Sequence, residues 1–188
     1  MRAFRIVAPA LLLLLTGATK LQQYRVDPAG SAVSAKVAFL GIGSKTARFP
    51  SMSGSVTIEP ARLQDLVLDV SLDARALTAS DKLTTERLRS EKFFWVSKYP
   101  TVRFKGDTIT MAGARSGIVK GQLTARGVTK PVALNVNFDK APATVNPEET
   151  ITLTGVTSIN RRDFGMKSYS LIVGKKVTIN LRARLVPN

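Results

Sequence analysis

The chain contains no cysteine and no histidine. Without cysteine there is no disulfide, no thiol nucleophile and none of the usual cysteine-based zinc sites. Packing alone must hold the fold. Without histidine there is no Ser-His-Asp or Cys-His catalysis and no imidazole-ligated metal or haem. Most hydrolase and metalloenzyme readings end on these two absences. Acid is scarce as well: 13 Asp and Glu stand against 28 Lys and Arg, a formal charge of +15. Such a surplus favours anionic partners such as phospholipid headgroups, pyrophosphates or nucleic acid. The bases are scattered through the chain and form no single block, which argues against a basic tail or arm.

Long apolar runs are also missing. The stretch from Ile6 to Leu15 is interrupted by Pro9 and falls short of the roughly 20 apolar residues that a spanning helix needs. Arg2 and Arg5 precede it, and Thr16-Gly17-Ala18 follows with small residues. This pattern reads as a secretory signal peptide, residues 1–18, cleaved after Ala18. With no cysteine there is no lipobox, so no lipid anchor is expected. The expected product, residues 19–188, is one soluble periplasmic domain long enough to bury a sizeable core.

What remains is alternation. Val33, Ala35, Val37 and Phe39 share one face, as do Leu66, Leu68, Val70 and Leu72. Val132, Leu134, Val136 and Phe138 repeat the pattern, and so do Val177, Ile179, Leu181, Ala183 and Leu185, with Lys176, Asn180, Arg182 and Arg184 opposite. Period two with one wet face is the mark of a one-sided antiparallel sheet. Weaker runs lie at 54–59, 101–111, 117–125 and 150–158. About eight strands at this spacing predict a sandwich or a barrel. Residues 113–117 and 127–131 read as tight turns, and the two prolines of 141–149 predict a surface loop.

One segment breaks the alternation. Residues 78–92 hold no Gly or Pro and predict a short helix over about 80–91, with Ser80 as N-cap and Leu83 and Leu88 as apolar anchors. Phe93, Phe94, Trp95 and Tyr99 follow directly. In a chain that is only 6% aromatic, that cluster reads as a plug at one end of the sheet or a lid over an apolar cavity.

Four ordered stretches carry a resemblance. They are Tyr24-Arg25-Val26-Asp27-Pro28 with Ser31; Leu88 to Phe94 through Lys98-Tyr99-Pro100 and Phe104; Leu123 to Val132; and Ile159-Asn160-Arg161-Arg162-Asp163-Phe164-Gly165 ahead of Val173-Gly174. Together they resemble the YceI-like family of periplasmic lipid- or polyisoprenoid-binding proteins over nearly all of the region beyond the leader. The resemblance implies an all-β fold, an eight-stranded antiparallel lipocalin-like barrel with one short helix. It implies a non-enzymatic binding protein that carries an amphipathic isoprenoid or fatty lipid in its lumen. The chain departs from the family's usual histidines: Gly30 stands before the opening serine, Phe39-Leu40-Gly41 occupies the region of a second, and Thr84, Thr85 and Arg87 fill the helical positions. These changes remove titratable groups from the mouth.

On the binding reading, the residues expected to face the lumen are Phe39, Phe49, Phe104, Leu134, Val136 and Phe138. Leu88, Phe93 and Phe94 are expected near one end and Phe164 at the last connection. Arg161 and Arg162 are the candidates for a charged headgroup, since guanidinium pairs bidentately with phosphate. No metal site or cofactor is expected, beyond a bound polyprenyl, quinone or fatty-acid molecule. An anionic membrane surface is the second expected partner, and a dimer is compatible with a long projecting ligand. Two alternatives remain open: a ligand-free barrel acting at a membrane surface, and an enzyme using Asp27, Asp69, Asp73 or Asp163. Exposed-aromatic nucleic-acid binding fits poorly, because the aromatics fall on apolar faces.

Overall fold

In a computed structural model, which describes residues 21–188, the alternating runs become ten antiparallel strands and one helix. The expected signal peptide, residues 1–18, lies outside the described residues. The strands are β1 (Gln22–Val26), β2 (Ala32–Phe39), β3 (Gly43–Phe49), β4 (Met52–Ile58), β5 (Val67–Asp73), β6 (Thr101–Met111), β7 (Ser116–Ala125), β8 (Val128–Phe138), β9 (Ile151–Asn160) and β10 (Val173–Pro187). The helix α1 spans Lys82–Arg89.

Eight of these strands close a ring in the order β1-β4-β5-β6-β7-β8-β9-β10, with β10 returning to β1. Closure falls at the short β1, where Tyr24 pairs with Val56 of β4 on one side and Pro187 of β10 on the other. Tyr24 is fully buried there, and its hydroxyl donates to Gln22 Oε1 at 3.0 Å. Burial of that phenol raises its pKa above the usual tyrosine value. The 15 residues of β10 are long enough to carry two neighbours on one side. Its last turn of the ladder pairs with β1, while Val173–Arg182 pairs with β2. The β2–β3 hairpin therefore extends from β10 as a wing on the ring.

That wing has an outer edge. Among β-proteins an open edge is a liability, and here the segment before α1 covers its Arg48 end. The amides of Arg48 and Thr78 donate to each other's carbonyls at 2.8 and 2.9 Å. Asp81 completes the junction: its carboxylate caps α1 by accepting the Thr84 amide at 2.7 Å, and it accepts the Lys45 ammonium of β3 at 3.0 Å. The N-cap is thus Asp81 and not the expected Ser80, whose hydroxyl instead donates to Asp81. The helix is shorter than the expected 80–91 at both ends. Ser90 turns the chain out, with its side chain bonded to the Arg87 carbonyl.

Two connections also differ from expectation. The β7–β8 turn is Arg126-Gly127, both at positive φ, and Pro131 lies inside β8. Pro131 is tolerated because β8 makes its ladder to β9 only at Asn135–Phe138, so that stretch of strand behaves as an edge. The 141–149 loop is not merely a surface loop: Val145 is buried and Pro142 reaches the barrel interior.

The carboxylates on the barrel exterior set an acid limit on stability. The amide of Thr84 holds the Asp81 carboxyl well below the usual range, helped by the Thr84 hydroxyl and Lys45. The Arg103 guanidinium does the same for Asp69, and Arg75 for Asp73. In the unfolded chain these groups take up protons near about pH 3.9; in the folded chain they do so lower. Their contribution is complete above the unfolded value and is lost as pH falls through the folded values. Melting temperature should therefore hold from pH 7 to about 5 and drop below about 4. Thermal melts across that range check this, and Asp81→Asn should flatten part of the acid slope. A melting temperature unchanged down to pH 2.5 would refute the assignment.

Candidate functional site

The inward faces of the strands line a tube. It runs from Phe94 and Met166, at the end that carries α1, to Leu63 and Pro142 at the opposite end, and encloses about 210 Å³. A single water needs about 10–15 Å³ by this measure, so the tube is a true void and not a packing defect. The sequence alternation selects its wall. Leu66, Leu68, Val70 and Leu72 line it, as do Val132, Leu134, Val136 and Phe138, and all five apolar residues from Val177 to Leu185.

Only two residues of the wall carry polar side chains, Thr157 and Arg161. Both are occupied by backbone. The Thr157 hydroxyl donates to the Ala133 carbonyl at 2.7 Å. The Arg161 guanidinium donates to Gly174 O and Val173 O at 2.8 Å, to Ser168 O at 2.9 Å, and to Met166 O. No unpartnered polar group therefore faces the lumen. An apolar void of this kind stays dry and takes apolar guests.

Of the residues expected on the lumen, Phe49, Phe94, Phe104, Leu134, Val136 and Phe138 are on its wall. Phe49 and Phe94 meet edge to face, ring centroids 5.6 Å apart, which anchors the aromatic segment against β3. Phe39 is not on the wall. Past Ala35 the wing diverges from the ring, and Phe39 lies under the Lys45 ammonium, 5.5 Å from its ring centroid. Leu88 packs against the outside of the core cluster. Phe93 and Phe164 are buried but face away from the tube. Phe93 stacks on Tyr169 at 5.9 Å and lies beneath the Arg161 guanidinium at 5.8 Å.

Arg161 corrects its expected role at the mouth. It is 3% exposed, and its fork ties the 165–174 loop to the end of β9 rather than reaching solvent. Burial pushes its guanidinium below the usual arginine range, with Arg162 adding repulsion. Arg162 itself is exposed, and its guanidinium makes a 3.5 Å contact with the Ser170 carbonyl. A second arginine clasp closes the same end: Arg126 donates to Glu91 O at 2.7 Å and to Gly165 O. Neither clasp carries a sequence signature beyond the motifs around it, because both act through main-chain carbonyls.

The four aspartates weighed for acid–base chemistry lie away from the lumen. Asp27 pairs with Arg184 at 3.1 Å, Asp69 with Arg103, and Asp73 with Arg75 at 2.9 Å. Asp163 accepts from the Asn160 amide at 3.1 Å. Among the described residues no group of three acids, His or Cys is placed to hold a metal ion.

A closed antiparallel barrel around a dry apolar tube, with one end sealed by a helix and an aromatic segment, defines a lipocalin-like binding scaffold. The chain belongs to the YceI-like domain family, whose model matches residues 24–185. It is 28% identical over 163 residues to a UPF0312 protein of Vibrio cholerae, covering 86% of each chain. A UPF0312 protein of Pseudomonas putida is 27% identical over 168 residues, with 88% of each covered. Among solved structures it is similar to Burkholderia cenocepacia BcnA, with a TM-score of 0.72 and 26% identity over 85% of this chain and 98% of that one. A polyisoprenoid binding domain from Saccharophagus degradans shares the fold, with a TM-score of 0.67, 15% identity, and coverage of 88% and 98%.

Proposed function

We propose that this protein is a non-enzymatic carrier, acting in the periplasm, that holds the apolar chain of an isoprenoid or fatty lipid in its lumen. The observation that carries the reading is the wall itself: its two polar side chains are both bonded to backbone carbonyls. Such a tube recognises an extended hydrocarbon by area alone, at about 25 cal/mol per Å² removed from water. The polyisoprenoid binding domain of S. degradans, on the same fold, supports the ligand class. The absence of histidine and cysteine supports a binding role over catalysis. The apolar run behind Arg2 and Arg5 supports export. The void of about 210 Å³ is smaller than the roughly 300–1,000 Å³ of ordinary ligand pockets, which suits a single extended hydrocarbon chain.

Native mass spectrometry of the protein purified from its own cells tests this, followed by solvent extraction. The expected result is a discrete added mass that extracts as a prenyl or acyl lipid. A bare polypeptide mass, together with failure to take up a quinone or a polyprenyl phosphate, would overturn the carrier reading in favour of a ligand-free barrel.

A further inference from the structure

The wing formed by β2, β3 and β10 has an unusual charge. None of the chain's 13 acidic residues falls in residues 28–58 or 164–188, which contain the whole of β2, β3 and β10. Those stretches hold eight Lys and Arg. Lys45 and Arg184 are neutralised by Asp81 and Asp27 from outside the wing. The other six, among them Lys36, Lys167, Lys175 and Lys176, are exposed and form no ion pair among the described residues.

The wing ends in an apolar tip. Ile42 is 95% exposed, Leu171 is 99% exposed and Leu40 is 55% exposed. Ile42 and Leu40 belong to the β2–β3 turn and Leu171 to the loop before β10. The two segments are joined, because the Leu40 amide donates to the Ile172 carbonyl at 2.7 Å. Leu40 is held at φ 54° and Tyr169 at φ 56°, conformations that cost a non-glycine residue energy and persist where the surrounding structure imposes them. The tip lies at the end of the barrel where Phe94 and Met166 reach the lumen.

We propose that this tip is a membrane anchor, inserting Ile42, Leu171 and Leu40 into the headgroup boundary of an anionic bilayer while the acid-free wing pairs with lipid phosphates. Charge complementarity selects the occupant. Projecting aliphatic side chains, with the unpaired Lys167, Lys175 and Lys176 close to Leu171 in sequence, match a surface that is negative outside and apolar just beneath. An acidic protein groove would satisfy the lysines but would leave two fully exposed aliphatic side chains on separate loops without matched pockets. Docking in this way turns the helical end of the barrel to the bilayer. The inference does not depend on what fills the lumen.

The test uses the full chain, expressed and purified as the cells process it, and sedimented with phosphatidylcholine vesicles with and without phosphatidylglycerol. The wild type should bind only the anionic vesicles and should be released as salt rises. A double variant, Ile42→Ser with Leu171→Ser, should bind at least about tenfold more weakly. Lys175→Gln with Lys176→Gln should weaken binding comparably and flatten the salt response. The exposure of all four side chains predicts unchanged melting temperatures, which separates docking from folding. Equal binding by wild type and variants, or none by the wild type, would overturn the proposal. Concentration-dependent self-association that the Ile42/Leu171 variant abolishes, without vesicle binding, would assign the tip to a second copy instead. Lipid extraction from the same protein before vesicles are added keeps the two readings apart: lipid-free protein that takes up no quinone or polyprenyl phosphate yet still docks overturns the carrier reading and leaves the anchor standing.

Discussion

Arg161→Met is expected to lower the melting temperature by roughly 10 °C or more. The guanidinium satisfies the carbonyls of Met166, Ser168, Val173 and Gly174 at once. Methionine fills much of the same volume but donates nothing, so four carbonyl acceptors lose the partner that ties them together. Each buried polar group left unpaired costs about 1–3 kcal/mol. Removing a desolvated charge returns part of the summed cost of four unpaired carbonyls, so the net cost should be about 3–5 kcal/mol. At this chain length each kcal/mol is worth about 2–4 °C. Arg161→Lys should fall between, because one ammonium cannot span acceptors on both sides of a planar fork. A thermal melt of both variants decides the matter. A methionine variant that melts within two or three degrees of wild type would show that the clasp is dispensable.

Filling the lumen is expected to abolish ligand binding while leaving the fold intact. Ala183 of β10 and Val136 of β8 both line the tube and are 8% and 2% exposed. Ala183→Phe with Val136→Phe places two rings into a void of about 210 Å³. In a filled core, added volume costs about 1–3 kcal/mol per site; here the extra atoms enter empty space and regain contacts that the cavity lacks. Melting temperature should move by only a few degrees, while the lipid recovered by extraction falls to background. Phe39→Ala is the matched control, since Phe39 is off the wall, and it should retain full binding. Undiminished lipid in the filled variant would mean that the ligand lies elsewhere on the molecule.

Much of the wall was legible beforehand because period two is a local property. Leu66 to Leu72, Val132 to Phe138 and Val177 to Leu185 each carry an apolar residue at every second position, and each puts that set inside. β3 was not legible. Only Ala47 and Phe49 of its seven residues are buried, so its composition reads as loop until β2 supplies a partner. Phe39 misled for a related reason. It continues the alternation of Val33 and Ala35 faithfully, but the strand carries it beyond the ring, where the same face no longer meets the lumen. The helix cap shifted by one residue because serine and aspartate are both good caps, and Asp81 collects the Thr84 amide and hydroxyl together with Lys45, which is distant in sequence.

By itself the sequence determined the strand class, the inward faces, the helix with its aromatic segment and the exclusion of thiol and imidazole chemistry. Each of these rests on residue identity or on neighbours a few positions apart. Only the tertiary structure decided that β1 closes the ring between β4 and β10, that Arg161 is spent on carbonyls and not on a headgroup, and that the interior is hollow. Closure and hollowness depend on summed side-chain volume across eight strands and on register between residues more than 100 positions apart, such as Tyr24 and Pro187. No local pattern carries that sum.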